Sequence, residues 1–140
     1  MADSSHPVIT PVYQFYADNP WRWNYSSDPD QGTSQRWTRD GIEFFAFGQN
    51  QLGVVPVYLS YTDTDWRPHF SLNENDRPGP GWKPGGIWFY AFANQTPNTM
   101  AVYEYHTSDK RYRYSTNGGI REPGWTLGGV RFYTFGATPG

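Results

Sequence analysis

The chain has 140 residues and a formal net charge of −2, long enough for one domain with a sizeable core and too evenly charged to call for nucleic acid or an anionic membrane. It has no cysteine, which excludes disulfides and thiolate metal sites and suits a reducing, cytoplasmic setting. Aromatic residues make up 19%, with 15 Gly and 12 Pro, while Leu occurs only at 52, 59, 72 and 127; this argues against a helical protein and predicts an all-β domain with many tight turns.

Along the chain, the first seven residues carry neither a basic stretch nor an apolar run, so no secretory signal is expected. No apolar run approaches the length that spans a bilayer, so no membrane partner is expected either. An opening strand is expected at Pro11-Val12-Tyr13 and a middle strand at Asn24-Tyr25-Ser26. After an Asx-rich loop come Trp37, Gly41 and a closing strand over 42–47. The series then returns as Pro56-Val57-Tyr58, His69-Phe70-Ser71, Trp82, Gly86 and 87–92. It returns again as Ala101-Val102-Tyr103, Arg113-Tyr114-Ser115, Trp125, Gly129 and 130–135. Both steps of the opening triplet are 45 residues (11 to 56, 56 to 101), which divides the single domain into units 8–52, 53–97 and 98–140.

The closing strands alternate. Ile42, Phe44 and Ala46 match Ile87, Phe89 and Ala91, then Val130, Phe132 and Thr134, and a face that hardly changes between units is expected to form the core. Glu43, Trp88 and Arg131 share one position and no chemistry, so they are expected to face solvent, with Trp88 a candidate exposed ring. Three units that cannot bury a face alone must share one core. Units of this length closed around a pseudo-three-fold axis predict a β-trefoil, with a β-prism or another three-fold strand assembly as the alternatives. The fourth strand of each trefoil unit would begin near Trp37, Trp82 and Trp125.

Catalytic and metal-binding patterns are missing. His6, His69 and His106 have no metal-ligand spacing, and the Gly79-Pro80-Gly81 and Gly85-Gly86 stretches read as turns rather than a phosphate loop. The carboxylate pairs Asp28/Asp30, Asp63/Asp65 and Glu74/Asp76 lie in loops. No enzyme activity, metal or other cofactor is expected.

The recurring polar set lies between opening and middle strands. Unit one offers Asp18, Trp21, Arg22 and Asn24; unit two offers Asp63, Trp66, Arg67 and His69; unit three offers Asp109, Arg111 and Arg113, with Lys110 where the ring stood. A flat ring covers the apolar face of a pyranose, while carboxylate, amide and guanidinium groups take its hydroxyls. The same residues also suit a second reading, in which the arginines and aspartates brace the loops and the tryptophans pack inside. Asp28, Asn73 and Asn117 coincide in the middle-to-closing loop and read first as Asx turns.

The repeated pattern Pro-Val-Tyr-x-x-Tyr, then Phe/Tyr-Ser, then Gly-Trp-x-x-x-Gly-Ile-x-Phe-Tyr-x-Phe resembles a repeat family of bacteria and fungi without known function. It also resembles the fungal lectin-like β-trefoil family of the mushroom tyrosinase light subunit and the button-mushroom mannose-binding protein. The resemblance covers residues 8–137 and implies a small fungal trefoil with sugar-binding or accessory roles. The Gln-x-Trp signature of ricin-type trefoils does not recur through the three units, so no binding residue is carried over.

The expected function is therefore that of a lectin, a monomer or homodimer binding glycans at up to three weak repeat-related sites that act through avidity. Two sites, at Trp21 and Trp66, are expected to be similar and the third degenerate. The alternative is an accessory subunit that docks on a protein partner without binding sugar.

Overall fold

In the computed structural model, residues 9–18, 21–30, 37–50, 52–62 and 66–136 are described. They form β-strands joined by turns, with no helix among them. Each unit gives three antiparallel strands: β1 (Ile9–Ala17), β2 (Arg22–Ser26) and β3 (Thr38–Phe47); β4 (Val55–Thr62), β5 (Pro68–Ser71) and β6 (Trp82–Ala91); β7 (Met100–His106), β8 (Tyr112–Ser115) and β9 (Thr126–Gly136). The opening strand lies between the other two, with Phe15 opposite Asn24 on one side and Val12 opposite Phe44 on the other. The residues after Trp37, Trp82 and Trp125 do not start a fourth strand; they are the first half of the long closing strand.

The closing strands also join the units. Phe47 pairs with Tyr90, Phe45 with Phe135, and Phe92 with Tyr133. At this junction aromatic rings from equivalent positions meet in threes. Phe44, Phe89 and Phe132 have centroids 5.6–5.9 Å apart. Below them, Phe47, Phe92 and Phe135 stand 5.5–6.2 Å apart, and Tyr25, Phe70 and Tyr114 stand 5.2–6.0 Å apart. Most of these contacts are edge-to-face, the arrangement that the ring quadrupole favours.

A third of the expected core face, three of its nine residues, is misplaced. Phe44, Phe89 and Phe132 are fully buried, but Ile42, Ile87 and Val130 are 39–48% exposed. A β-bulge explains the change of phase: Val12 faces Phe44 while Tyr13 faces Ile42, so Glu43 is the extra residue, and Trp88 and Arg131 are extra in the other units. One added residue switches the side of the residue just before it. The same bulge corrects the expectation of solvent at this position for Glu43 and Trp88. The Glu43 carboxylate accepts hydrogen bonds from the Ser115 hydroxyl at 2.9 Å and the Thr116 N–H, and burial raises its pKa above the ordinary value against those bonds. Trp88 is half-buried with its ring edge-on to Phe70, whereas Arg131 reaches back to Glu104.

Among the described residues, the middle strands β2, β5 and β8 pair with a strand on one side only, leaving edges of the kind that invite aggregation. Tyrosines from neighbouring units cover two of them. The Tyr25 hydroxyl accepts from the Tyr114 N–H at 2.8 Å, and the Tyr114 hydroxyl accepts from the Phe70 N–H at 2.8 Å. The partner of each middle-strand ring matches it. Tyr25 donates to Gln14 and Tyr114 donates to Glu104, whereas Phe70, which has no hydroxyl, pairs across the sheet with Leu59.

Candidate functional site

The opening-to-middle loops do not stand apart as three pockets; they interlock. Arg67 of unit two donates to the Asp109 carbonyl of unit three and lies 3.7 Å from its carboxylate. Arg111 of unit three grips both Asp109 oxygens and donates to the Trp21 carbonyl of unit one at 2.7 Å. The Thr107 hydroxyl bond, aided by Arg111 and Arg67, holds the Asp109 carboxyl below its ordinary pKa. Lys110 reaches the Pro78 carbonyl of unit two at 2.9 Å. These cations thus brace the loops of adjacent units.

His69 and Arg113 also belong to unit boundaries. Asn24 and His69 are buried on the middle strands. The His69 ring stands edge-on to Tyr112 of unit three at 4.8 Å, and Arg113 lies 4.3 Å over the Trp23 ring of unit one while pairing with Glu122 at 2.6 Å. Asp63 lies outside the described residues.

The two loop tryptophans part company. Trp66 takes a left-handed backbone (φ 50°), as Lys110 does at the matching position (φ 64°), a strained conformation for a bulky side chain. Its ring stacks on Tyr61 at 4.6 Å and packs against the main core and against a smaller buried cluster of Phe15, Ala17 and Trp37. Trp21 is 40% exposed. It lies tilted by 31° against Tyr16 at 4.8 Å and meets Trp23 edge-on at 5.5 Å. With Tyr16, Ala17, Asp18 and Thr38 it lines a cavity of about 160 Å³. Arg22 fixes this loop by donating to the Asp18 carbonyl at 3.2 Å while lying 5.1 Å over Trp37. An open ring, a carboxylate and hydroxyls therefore share one small cavity.

Sequence reasoning missed Tyr16 and Thr38, although Tyr16 recurs as Tyr61 in the Pro-Val-Tyr-x-x-Tyr pattern. It also missed the Glu104 centre. This carboxylate is 2% exposed, accepts from Tyr114 at 2.7 Å and Arg131 at 3.0 Å, and lies 3.5 Å from the His69 Nε2. The middle-to-closing loop behaves as its composition suggests: Asp28, Asn73 and Asn117 each accept a backbone N–H two residues on, closing Asx turns. No cluster of three or more His, Cys, Asp or Glu side chains suited to a metal ion occurs among the described residues. No helix long and apolar enough to cross a membrane occurs among the described residues.

Taken together, these features define an all-β domain built from repeated antiparallel units around stacked aromatic triplets, with one ring-and-carboxylate cavity on its first loop. The chain belongs to the family described as domain of unknown function DUF5648, whose pattern matches residues 2–92, covering unit one and most of unit two. No characterised protein and no solved structure matches the chain significantly.

Proposed function

We propose that this protein is a non-catalytic carbohydrate-binding domain of β-trefoil type that holds one sugar ring at the cavity of unit one. The observation that carries the reading is the juxtaposition of the exposed Trp21 ring with Asp18, Tyr16 and Thr38. A pyranose laid on the indole buries its apolar C–H face, while the carboxylate and hydroxyls accept and donate to its rim. At about 160 Å³ the cavity is smaller than the roughly 300–1,000 Å³ of pockets for drug-sized ligands, which suits a single terminal ring. Trp66 and Lys110 are engaged in packing and bracing, so one site per chain replaces the two similar sites expected from the repeat. The trefoil reading draws on the three ring triplets and on the mutual pairing of the three closing strands. On this reading the two halves of each long closing strand, on either side of the bulge, stand in for two strands of a trefoil unit. A glycan array on the pure protein tests the function. Binding of a defined set of neutral glycans, lost in Trp21→Ala with the fold intact, supports it; an empty array, or an unchanged profile for the variant, refutes it.

A further inference from the structure

The outer face of the sheet carries a second repeated feature. On each unit a tyrosine of the opening strand stands opposite an exposed aliphatic residue of the closing strand: Tyr13 and Ile42, Tyr58 and Ile87, Tyr103 and Val130. In two units the tyrosine is already covered. In unit one the Arg39 guanidinium lies 5.8 Å from the Tyr13 ring centroid, donates to the Pro29 carbonyl at 2.9 Å and stands 4.0 Å from the Asp30 carboxylate. In unit three the backbone at Gly118 lies so close that a Cβ there would come within 2.8 Å of the Tyr103 ring. In unit two the residue matching Arg39 is Pro84, too short to cover anything. There Tyr58, Leu59, Glu74, Pro84, Gly86 and Ile87 line an open pocket of about 380 Å³.

We infer that this unit-two pocket is a binding site for a guanidinium cation supplied from outside the chain, seated over Tyr58 as Arg39 is over Tyr13. The molecule itself shows the chemistry that fits. A planar cation on a tyrosine face, with acceptors from the middle-to-closing loop, is the arrangement unit one completes internally. Unit two keeps the ring and supplies an acceptor at the loop tip, where Glu74 matches Pro29 in the turn and is the one charged residue lining the pocket. Ile87 and Pro84 offer apolar walls for the methylene stem of an arginine side chain. The site is separate from the Trp21 cavity and does not depend on sugar binding.

The test is a titration with acetyl-arginine amide, followed by NMR at the Tyr58 ring and Ile87 methyl signals, beside the neutral isostere acetyl-citrulline amide. Saturable shifts in the millimolar range for arginine, at least about tenfold weaker for citrulline, are expected of an exposed ion pair with a cation–π contact. Glu74→Gln, on an exposed loop, should lower affinity about tenfold without changing Tm. Pro84→Arg should abolish binding by filling the pocket as unit one does. Butylguanidinium separates the sources: affinity equal to the amide indicates any small guanidinium, and weaker affinity indicates an arginine presented by a chain. Equal binding of citrulline and arginine, no shifts at Tyr58, or full affinity in Glu74→Gln would overturn the inference.

Discussion

The ring triplets at the junction and the loops at the cavity end descend from the same repeat, yet they use it in opposite ways. At the junction all three units keep Phe at 44, 89 and 132, and the three rings fill one space. At the loops the matching residues are Trp21, Trp66 and Lys110, and each does something different: an open ring, a packed ring and a brace. Where copies fill one common space, volume must match and identity is retained. Where loops reach a neighbouring unit, the bracing arginines are kept and the remaining positions diverge.

The largest effects should come from the junction. Phe89→Ala removes a ring that touches Phe44, Phe132 and Phe70 and should cost about 3–5 kcal/mol in denaturant unfolding. Two residues earlier, Ile87→Ala should cost well under ~1 kcal/mol because the side chain is half exposed. Equal costs would mean that the bulge does not set the phase of the strand.

The matched pairs give the next effect. Tyr25→Phe leaves the Gln14 carbonyl and the Tyr114 N–H without their hydroxyl and should cost about 1–3 kcal/mol. Adding Gln14→Leu recreates the Leu59–Phe70 pair of unit two, so the double variant should be less destabilised than the sum of the singles, by about 0.5 kcal/mol or more. Strict additivity would break the pairing argument.

The smallest effect is a pH dependence. Burial lowers the His69 pKa below the ordinary value of 6.5, against the raising influence of Glu104 and Asp76 and with Arg131 lowering it. The unfolded chain therefore binds more protons than the folded one between the folded pKa and 6.5, so stability should fall as pH drops through that window. His69→Gln should flatten the slope. Glu43, whose burial raises its pKa, acts in the opposite sense, losing stability as pH rises above its unfolded value near 4.5.

How much of this was legible follows from what repeats encode. The nine strands follow from the aromatic alternation and the turn residues. The bulge did not show, because Ile42 and Phe44 keep the spacing of an unbroken strand and only the pairing partner reveals the extra residue. The matched pairs Gln14–Tyr25, Leu59–Phe70 and Glu104–Tyr114 were readable in principle, since a polar residue accompanies each hydroxyl across the repeat. The loop residues stand out in the sequence by their recurrence, but their reach does not. Sequence places Arg67 and Arg111 beside their own aspartates, and only the fold shows them reaching the next unit.

The contrast between Trp21 and Trp66 is the most direct test of the account. Calorimetric titration with a glycan selected on the array should give one equivalent per chain, with binding abolished in Trp21→Ala at unchanged Tm. Trp66→Ala should retain one equivalent at near-normal affinity while losing stability, as its packed ring requires. Two or three equivalents in the native protein, or binding lost in Trp66→Ala and kept in Trp21→Ala, would contradict a single site on the first loop.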